Sequence, residues 1–317
     1  MPRLEVTSKF FLALTATLLL FVSGVMVPPA GIILLPLVPQ PVLAFGIRHG
    51  LAWSAGLLFL ATVLLLIFAG EELAFIYGIF ALMAGLLLGL LGRHRSIEFL
   101  VAGVAAALFT AAGGLLLYLY GSWTAMMEDF RASLIQNLAT AVRMQEKMGF
   151  SQDSLALLEE RGPHIVEMIL QLLPSLLFIS FGLTVLVNIV LLCRRFPDRR
   201  VAWLSCKDLR EWKGPEPMVW GLIACGFALF IPGLEALRLL VINILLVIAA
   251  CYFAQGLAVV AYLFQKNNVP RFLRGITYTL IVFQQIFTVM VVGVGLFDLW
   301  GDFRRLGKNN LNTSRAS

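Results

Sequence analysis

Apolar residues along this chain run in long blocks separated by short polar connections. Nine blocks stand out, at 10–27, 28–46, 51–69, 73–91, 97–120, 164–193, 217–233, 236–265 and 274–298. Most are close to the roughly 20 residues a helix needs to cross a bilayer, and none shows the strict alternation of a barrel strand. Hydrocarbon offers no water to pair with the backbone, so a segment that bonds internally is what such blocks predict. The expected fold class is all-α, a polytopic transmembrane helical bundle of eight or nine spans with an extramembrane helical hairpin. The second block is irregular. Pro28, Pro29, Pro36, Pro39 and Pro41 break a regular helix there, which predicts a kinked or re-entrant piece shielded by its neighbours.

The hairpin is read from the connection 121–163, the one sizeable polar piece. Its Met127, Phe130, Leu134, Leu138, Ala141 and Met148 recur at helical spacing, which predicts an amphipathic helix. A second short helix is expected to begin near Ser151 or Asp153 as N-cap and to stop at Gly162, before Pro163 opens the next span. The expected organisation is an N-terminal transmembrane bundle over 1–120, the hairpin at 121–163, a C-terminal bundle over 164–300 and a polar tail at 301–317.

Composition supports the bilayer as solvent: 60% of the 317 residues are hydrophobic, 13% are charged, and the mean hydropathy is +0.91. The net charge of +6 does not point to nucleic acid, because the basic residues cluster at the ends of apolar runs and read as topology signals. Arg48 and His49, then Arg93, His94 and Arg95, then the stretch 194–213, then Lys266, Arg271 and Arg274 fall on one side if every segment crosses. That side is expected to be cytoplasmic. Nine crossings leave Arg304, Arg305 and Lys308 opposite; eight, with 217–233 lying shallow, return the tail but move Lys266, Arg271 and Arg274 across. Charge leaves both counts open. At the N-terminus MPRLEVTSK precedes an apolar run too long for a signal peptide, so an uncleaved first span is expected.

Candidate chemistry is sparse. No HExxH, GxSxG, Walker A or strand-to-helix GxGxxG pattern occurs, the histidines His49, His94 and His164 sit at span ends, and no span carries an ionisable group near its middle. Neither an enzyme nor a cofactor is expected. Cys193, Cys206, Cys225 and Cys251 lack CxxC spacing, so no disulfide framework, zinc site or other metal site is expected.

Neutral polar residues do enter the spans. Cys251, Gln255, Ala258 and Tyr262 share a face of the eighth block, and Thr277, Gln284 and Thr288 share a face of the ninth. Facing one another, these stripes would line a small neutral pocket, and the candidate solute-facing set is Asn243, Gln255, Tyr262, Thr277, Gln284 and Thr288. The competing reading is interhelical hydrogen bonding that holds the bundle together. Asp298, Asp302, Arg304 and Arg305 form a candidate interfacial latch: on a continuing helix Asp302 and Arg305 lie three apart, and Asp298 and Asp302 four apart.

The connection 194–213, with Trp203 and Trp212 among its basic residues, is expected to meet anionic lipid headgroups. Small residues at Gly85, Gly89 and Gly92, at Gly103, Ala107 and Ala111, at Gly293 and Gly295, and at Ala13 and Thr17 allow close helix approach, within the chain or with a membrane protein partner.

The run AQGLAVVAYLFQKNNVPRFLRG, the later GLFDLWGDFRRL and the N-terminal LPLVPQPVLAFGIRHGL resemble the YybS-type family of bacterial multi-pass membrane proteins. That resemblance implies a place in the bacterial cytoplasmic (inner) membrane. It also implies a distant similarity to the substrate-binding subunits of energy-coupling factor transporters, which capture a vitamin or metal and dock through small residues of a first helix. Ala13 and Thr17 stand in a comparable place. The function expected is solute binding or a transport-related role; the alternative is a non-transporting scaffold that anchors partner proteins.

Overall fold

The computed structural model describes residues 2–91, 96–148, 152–196, 212–231, 233, 235–301 and 303–304. The helices are α1 (Pro2–Met26), α2 (Pro28–Leu34), α3 (Gln40–His49), α4 (Leu51–Phe68), α5 (Glu71–Leu91), α6 (Ile97–Tyr120), α7 (Trp123–Lys147), α8 (Gln152–Arg195), α9 (Met218–Ala228), α10 (Glu235–Lys266), α11 (Arg271–Phe283) and α12 (Gln285–Gly301), with a 3-10 turn at Leu35–Leu37. No strand occurs among the described residues, and the protein is an all-α polytopic bundle. Among the described residues seven helical stretches are long and apolar enough to cross a membrane, or eight if α11 and α12, bent by 101° at their junction, count as one broken span. The block 217–233 supplies only the 11-residue α9. At about 1.5 Å per residue it reaches roughly half of a ~30 Å hydrocarbon core. The upper count of eight, with 217–233 too short to cross, agrees with the lower of the two counts that the apolar runs suggest.

The chain divides into two compact units, Met1–Leu170 with Leu176–Cys206, and Gln171–Ser175 with Lys207–Ser317. In the first, α1, the broken α2–α3 segment, α4, α5, α6 and the C-terminal half of α8 enclose a core that includes Phe21, Leu43, Leu57, Tyr77, Leu87, Leu100, Leu108 and Ile189. Phe21 and Tyr77 meet edge to face with centroids 5.4 Å apart. The prolines of the second block do break the helix, and neighbouring side chains take up the carbonyls this frees. Thr17 donates to the Val38 carbonyl at 2.7 Å, and the Asn188 amide donates to the Pro36 carbonyl at 2.8 Å. Shielding of this kind is what makes a broken helix tolerable at membrane depth. The Arg-His-Gly turn between α3 and α4 depends on Gly50, whose φ of 96° with ψ of 169° is a conformation essentially confined to glycine.

The hairpin differs from expectation in its second arm. α7 is amphipathic, begins at an N-cap where the Ser122 hydroxyl accepts from the Ala125 amide, and turns Met126, Met127, Phe130, Leu134, Leu138 and Val142 inward. Ala141 and Met148 remain exposed. No separate helix ends at Gly162; α8 runs unbroken from Gln152 to Arg195 through Gly162 and Pro163. The Gly-Pro stop signal is overridden by packing. A Cβ on Gly162 would overlap the Leu138 side chain of α7, and Arg131 of α7 grips Glu167 of α8 through a two-pronged ion pair at 2.6 and 3.1 Å. That contact raises the Arg131 pKa, chiefly through the hydrogen bond to Glu167. The expected cap at Ser151 lies outside the described residues.

In the second unit α10 and α12 cross at two glycines. A Cβ on Gly256 would overlap the Val291 carbonyl oxygen, and one on Gly295 would overlap that of Tyr252, so the two backbones touch. Between α10 and α11 the chain turns at Asn268, whose φ is 50°, a value asparagine tolerates better than most residues. Arg274 then reaches back to donate to the carbonyls of Val269 at 2.8 Å and Phe264 at 3.2 Å, capping the end of α10. The ninth block is not one straight helix. Gln284 is extended, with φ −109° and ψ 108°, and separates α11 from α12.

Candidate functional site

The six candidate solute-facing residues do not gather around one space. Asn243 reaches the turn of α8 around Pro174. Its amide oxygen accepts from the Ser175 N–H at 2.9 Å, and its amide nitrogen donates to the Gln171 carbonyl at 2.9 Å. A proline inside a helix removes an N–H and crowds the carbonyl four residues back, and Asn243 spans the gap. The Thr277 hydroxyl donates within its own helix to Leu273, and Gln284 is exposed at the bend. Thr288 donates across that bend to the Ile281 carbonyl at 2.5 Å. Because the helix breaks at Gln284, Thr277 and Thr288 no longer share a face. Tyr262 is half-buried on α10, on the stripe that carries the buried Gln255 and Ala258.

Gln255 instead belongs to the latch. Its amide nitrogen donates to Asp298 Oδ2 at 3.3 Å, and its amide oxygen accepts from the Gly214 N–H at 3.0 Å. Arg304 Nη2 donates to the same Asp298 oxygen at 2.6 Å, and Nη1 donates to the Trp212 carbonyl at 2.8 Å. Both charged side chains have no solvent exposure. The ion pair seen here joins Asp298 and Arg304, residues six apart. α12 ends at Gly301, and the chain turns at Phe303 and Arg304 to bring the guanidinium back. The side chains of Asp302 and Arg305 lie outside the described residues. Among the described residues no three His, Cys, Asp or Glu side chains are grouped to hold a metal ion. Cys193 is disulfide-bonded, while Cys225 and Cys251 are free. A bond at Cys193 is not a disulfide framework, and spacing along the chain gave no sign of it, because spacing does not reveal which thiols the fold brings together.

The first unit carries a cleft of about 730 Å³ between α1, α3 and α8. Its mouth is basic: Lys9, Arg48, His49, Arg194 and Arg195 line it. Behind the mouth the walls are apolar, with Leu12, Ala16 and Leu20 from α1, Leu37 and Pro41 from the broken segment, and Leu191 from α8. Gln40 is the polar group in that wall, and its amide nitrogen already donates to the backbone and side-chain oxygens of Asn188, each at 2.9 Å. Two of the cations share one aromatic ring, with the Arg48 guanidinium 5.2 Å and the Arg195 guanidinium 5.9 Å from the centroid of buried Phe196. Lys9 pairs with Glu5 at 2.5 Å.

The family model described as predicted membrane protein DUF2232 matches residues 15–299, most of the chain. The chain belongs to this family. No curated protein and no solved structure matches it. The DUF2232 stretch takes in Arg48, Arg194, Arg195 and Asp298, whereas Lys9, Leu12 and Arg304 lie beyond its ends. Each half of the latch therefore stands on a different side of the DUF2232 boundary.

Proposed function

We propose that this DUF2232 protein is a transport-related binding protein of the membrane that takes an anionic ligand in the cleft of its first unit. The observation that carries the reading is the gathering of five basic side chains at one mouth by three helices distant in sequence, with Glu5 as the acid paired there. Like charges brought together repel, and an anion between them turns that cost into attraction. The resemblance to YybS-type proteins, and through them to vitamin-transporter binding subunits, supports the same reading. It also supports the bacterial cytoplasmic membrane as the location, with the basic ends on the cytoplasmic side. The expected polar pocket of α10–α12 plays no part in it.

The test is thermal stabilisation of the purified full-length protein by a panel of anionic compounds, water-soluble and amphiphilic. At a concentration 100 times Kd a bound ligand adds about 2.7 kcal/mol. At least one compound should stabilise the wild type and leave R48E/R195E unmoved; a panel without effect on the wild type defeats the reading.

A scaffold role is the second reading, favoured by a separate observation. Among the described residues Gly85, Gly89 and Gly103 have no other element packed against them, since a Cβ on any of them would meet no atom of one within 4 Å. Such faces admit a helix of another protein. Crosslinking in intact cells should then recover a stoichiometric partner, and G85L/G89L should abolish its capture.

A further inference from the structure

We infer that the ligand of the basic-mouthed cleft is a membrane phospholipid with a net negative headgroup, seated with its phosphate among the arginines and one acyl chain along α1. The inference rests on the reading of this cleft as an anion site and adds what lies behind the anion. From Lys9 to Leu20 the cleft follows α1 for eleven residues. At about 1.5 Å per residue this is a trough of about 16 Å, close to half of the ~30 Å hydrocarbon core and thus to the depth of one leaflet.

Among its described residues the trough leaves a soluble ligand one polar side-chain atom, the Gln40 amide oxygen. Leu12, Ala16, Leu20, Pro41 and Leu191 are apolar, and the Gln40 amide nitrogen is engaged by Asn188. Leu12 is 71% exposed, so the α1 wall opens sideways onto hydrocarbon rather than closing over a solute. A small anion would satisfy the mouth alone. A phospholipid satisfies both regions, because its phosphate meets the cations while its chain covers apolar wall already bordered by lipid. The arginine geometry suits a phosphate: the Arg48 and Arg195 guanidinium carbons lie over the Phe196 ring, and neither side chain has a carboxylate partner among the described residues. A guanidinium held over an aromatic ring and not paired with a carboxylate keeps N–H donors for an oxyanion. Basic pockets between membrane helices select anionic headgroups in this way.

The experiment uses full-length protein in detergent, with retention of added lipid read by native mass spectrometry. The probes are phosphatidylglycerol, phosphatidylcholine of the same chains, and glycerol phosphate as the headgroup without chains. Phosphatidylglycerol should be retained over phosphatidylcholine, and R48Q/R195Q should cut its retention by about thirtyfold, the change expected on losing two cations worth about 1 kcal/mol each near a lipid surface. A16W and L20W, which fill the trough and keep every charge, should weaken retention as well, read in whichever variant keeps the wild-type melting temperature. Glycerol phosphate should not compete; this comparison on the wild type decides the matter even if both tryptophan variants misfold. Equal retention of the two lipids, wild-type retention in a folded tryptophan variant, or effective competition by glycerol phosphate would each overturn the inference, and the last would leave the anion site standing. Failure of every anion, soluble or lipid, would remove both readings.

Discussion

Asp298 and Arg304 meet at 2.6 Å with both side chains entirely out of solvent contact, joined across the end of α12 by a turn of the chain. Removing one member of such a pair leaves an uncompensated buried charge, which costs about 3–5 kcal/mol. Asp298→Ala should therefore destabilise the purified protein by that order in a detergent unfolding titration. The double variant D298L/R304M should cost distinctly less than either single change, since a buried pair replaced together by apolar groups is often close to neutral. Additive losses would show that the pair is not coupled.

Asn243 makes sense as a patch on a damaged helix. Interhelical hydrogen bonds in membranes are worth about 0.6–1.7 kcal/mol each, so Asn243→Ala, which gives up the bonds to Ser175 and Gln171, should cost about 1–3 kcal/mol. Pro174→Ala allows the ladder of α8 to close by itself. A double-mutant cycle should accordingly find Asn243→Ala cheaper in the Pro174→Ala background; an unchanged cost would mean that Asn243 acts elsewhere.

The two glycines of α12 that the sequence offers as equivalent small residues should behave oppositely. A Cβ on Gly295 would fall on the backbone of α10, while one on Gly293 would meet nothing within 4 Å. Gly295→Ala should lower stability by about 1–3 kcal/mol through overpacking, whereas Gly293→Ala should be neutral or gain up to about 1 kcal/mol from helix propensity. Melting temperatures of the two variants check this directly.

Gly50 holds φ at 96° in open space, so conformation alone penalises a side chain there. Gly50→Ala should cost about 1–3 kcal/mol, and Gly56→Ala, in the interior of α4 with open space around it, should not. Equal effects of the two changes in the same melting assay would argue against strain at the α3–α4 turn.

The greasy blocks, the proline-broken second segment and the amphipathic face of α7 were all legible in the order of residues, because each depends on local composition or period. What failed depended on contacts. Gly162–Pro163 reads as a stop, yet α7 docks on that turn and α8 continues. The last block reads as one span, yet the backbone is extended at Gln284. Asp298 and Arg304 were visible as charges, but spacing rules assume a continuing helix, and the chain leaves the helix before Arg304. Gly256, the other half of the α10–α12 crossing, gave no signal, since a single glycine says nothing of what it touches. The basic clusters at Arg48 and Arg194 did sort to one side, whereas their meeting on the Phe196 ring is a property of the folded unit alone.

Thr17, Asn188, Asn243 and Thr288 are each committed to a backbone oxygen or N–H at a place where a helix is interrupted. Groups so committed cannot be lent to a passing solute without reopening the break they mend. The described interior thus serves as a repaired framework, with its polar side chains spent on mending breaks in the helices.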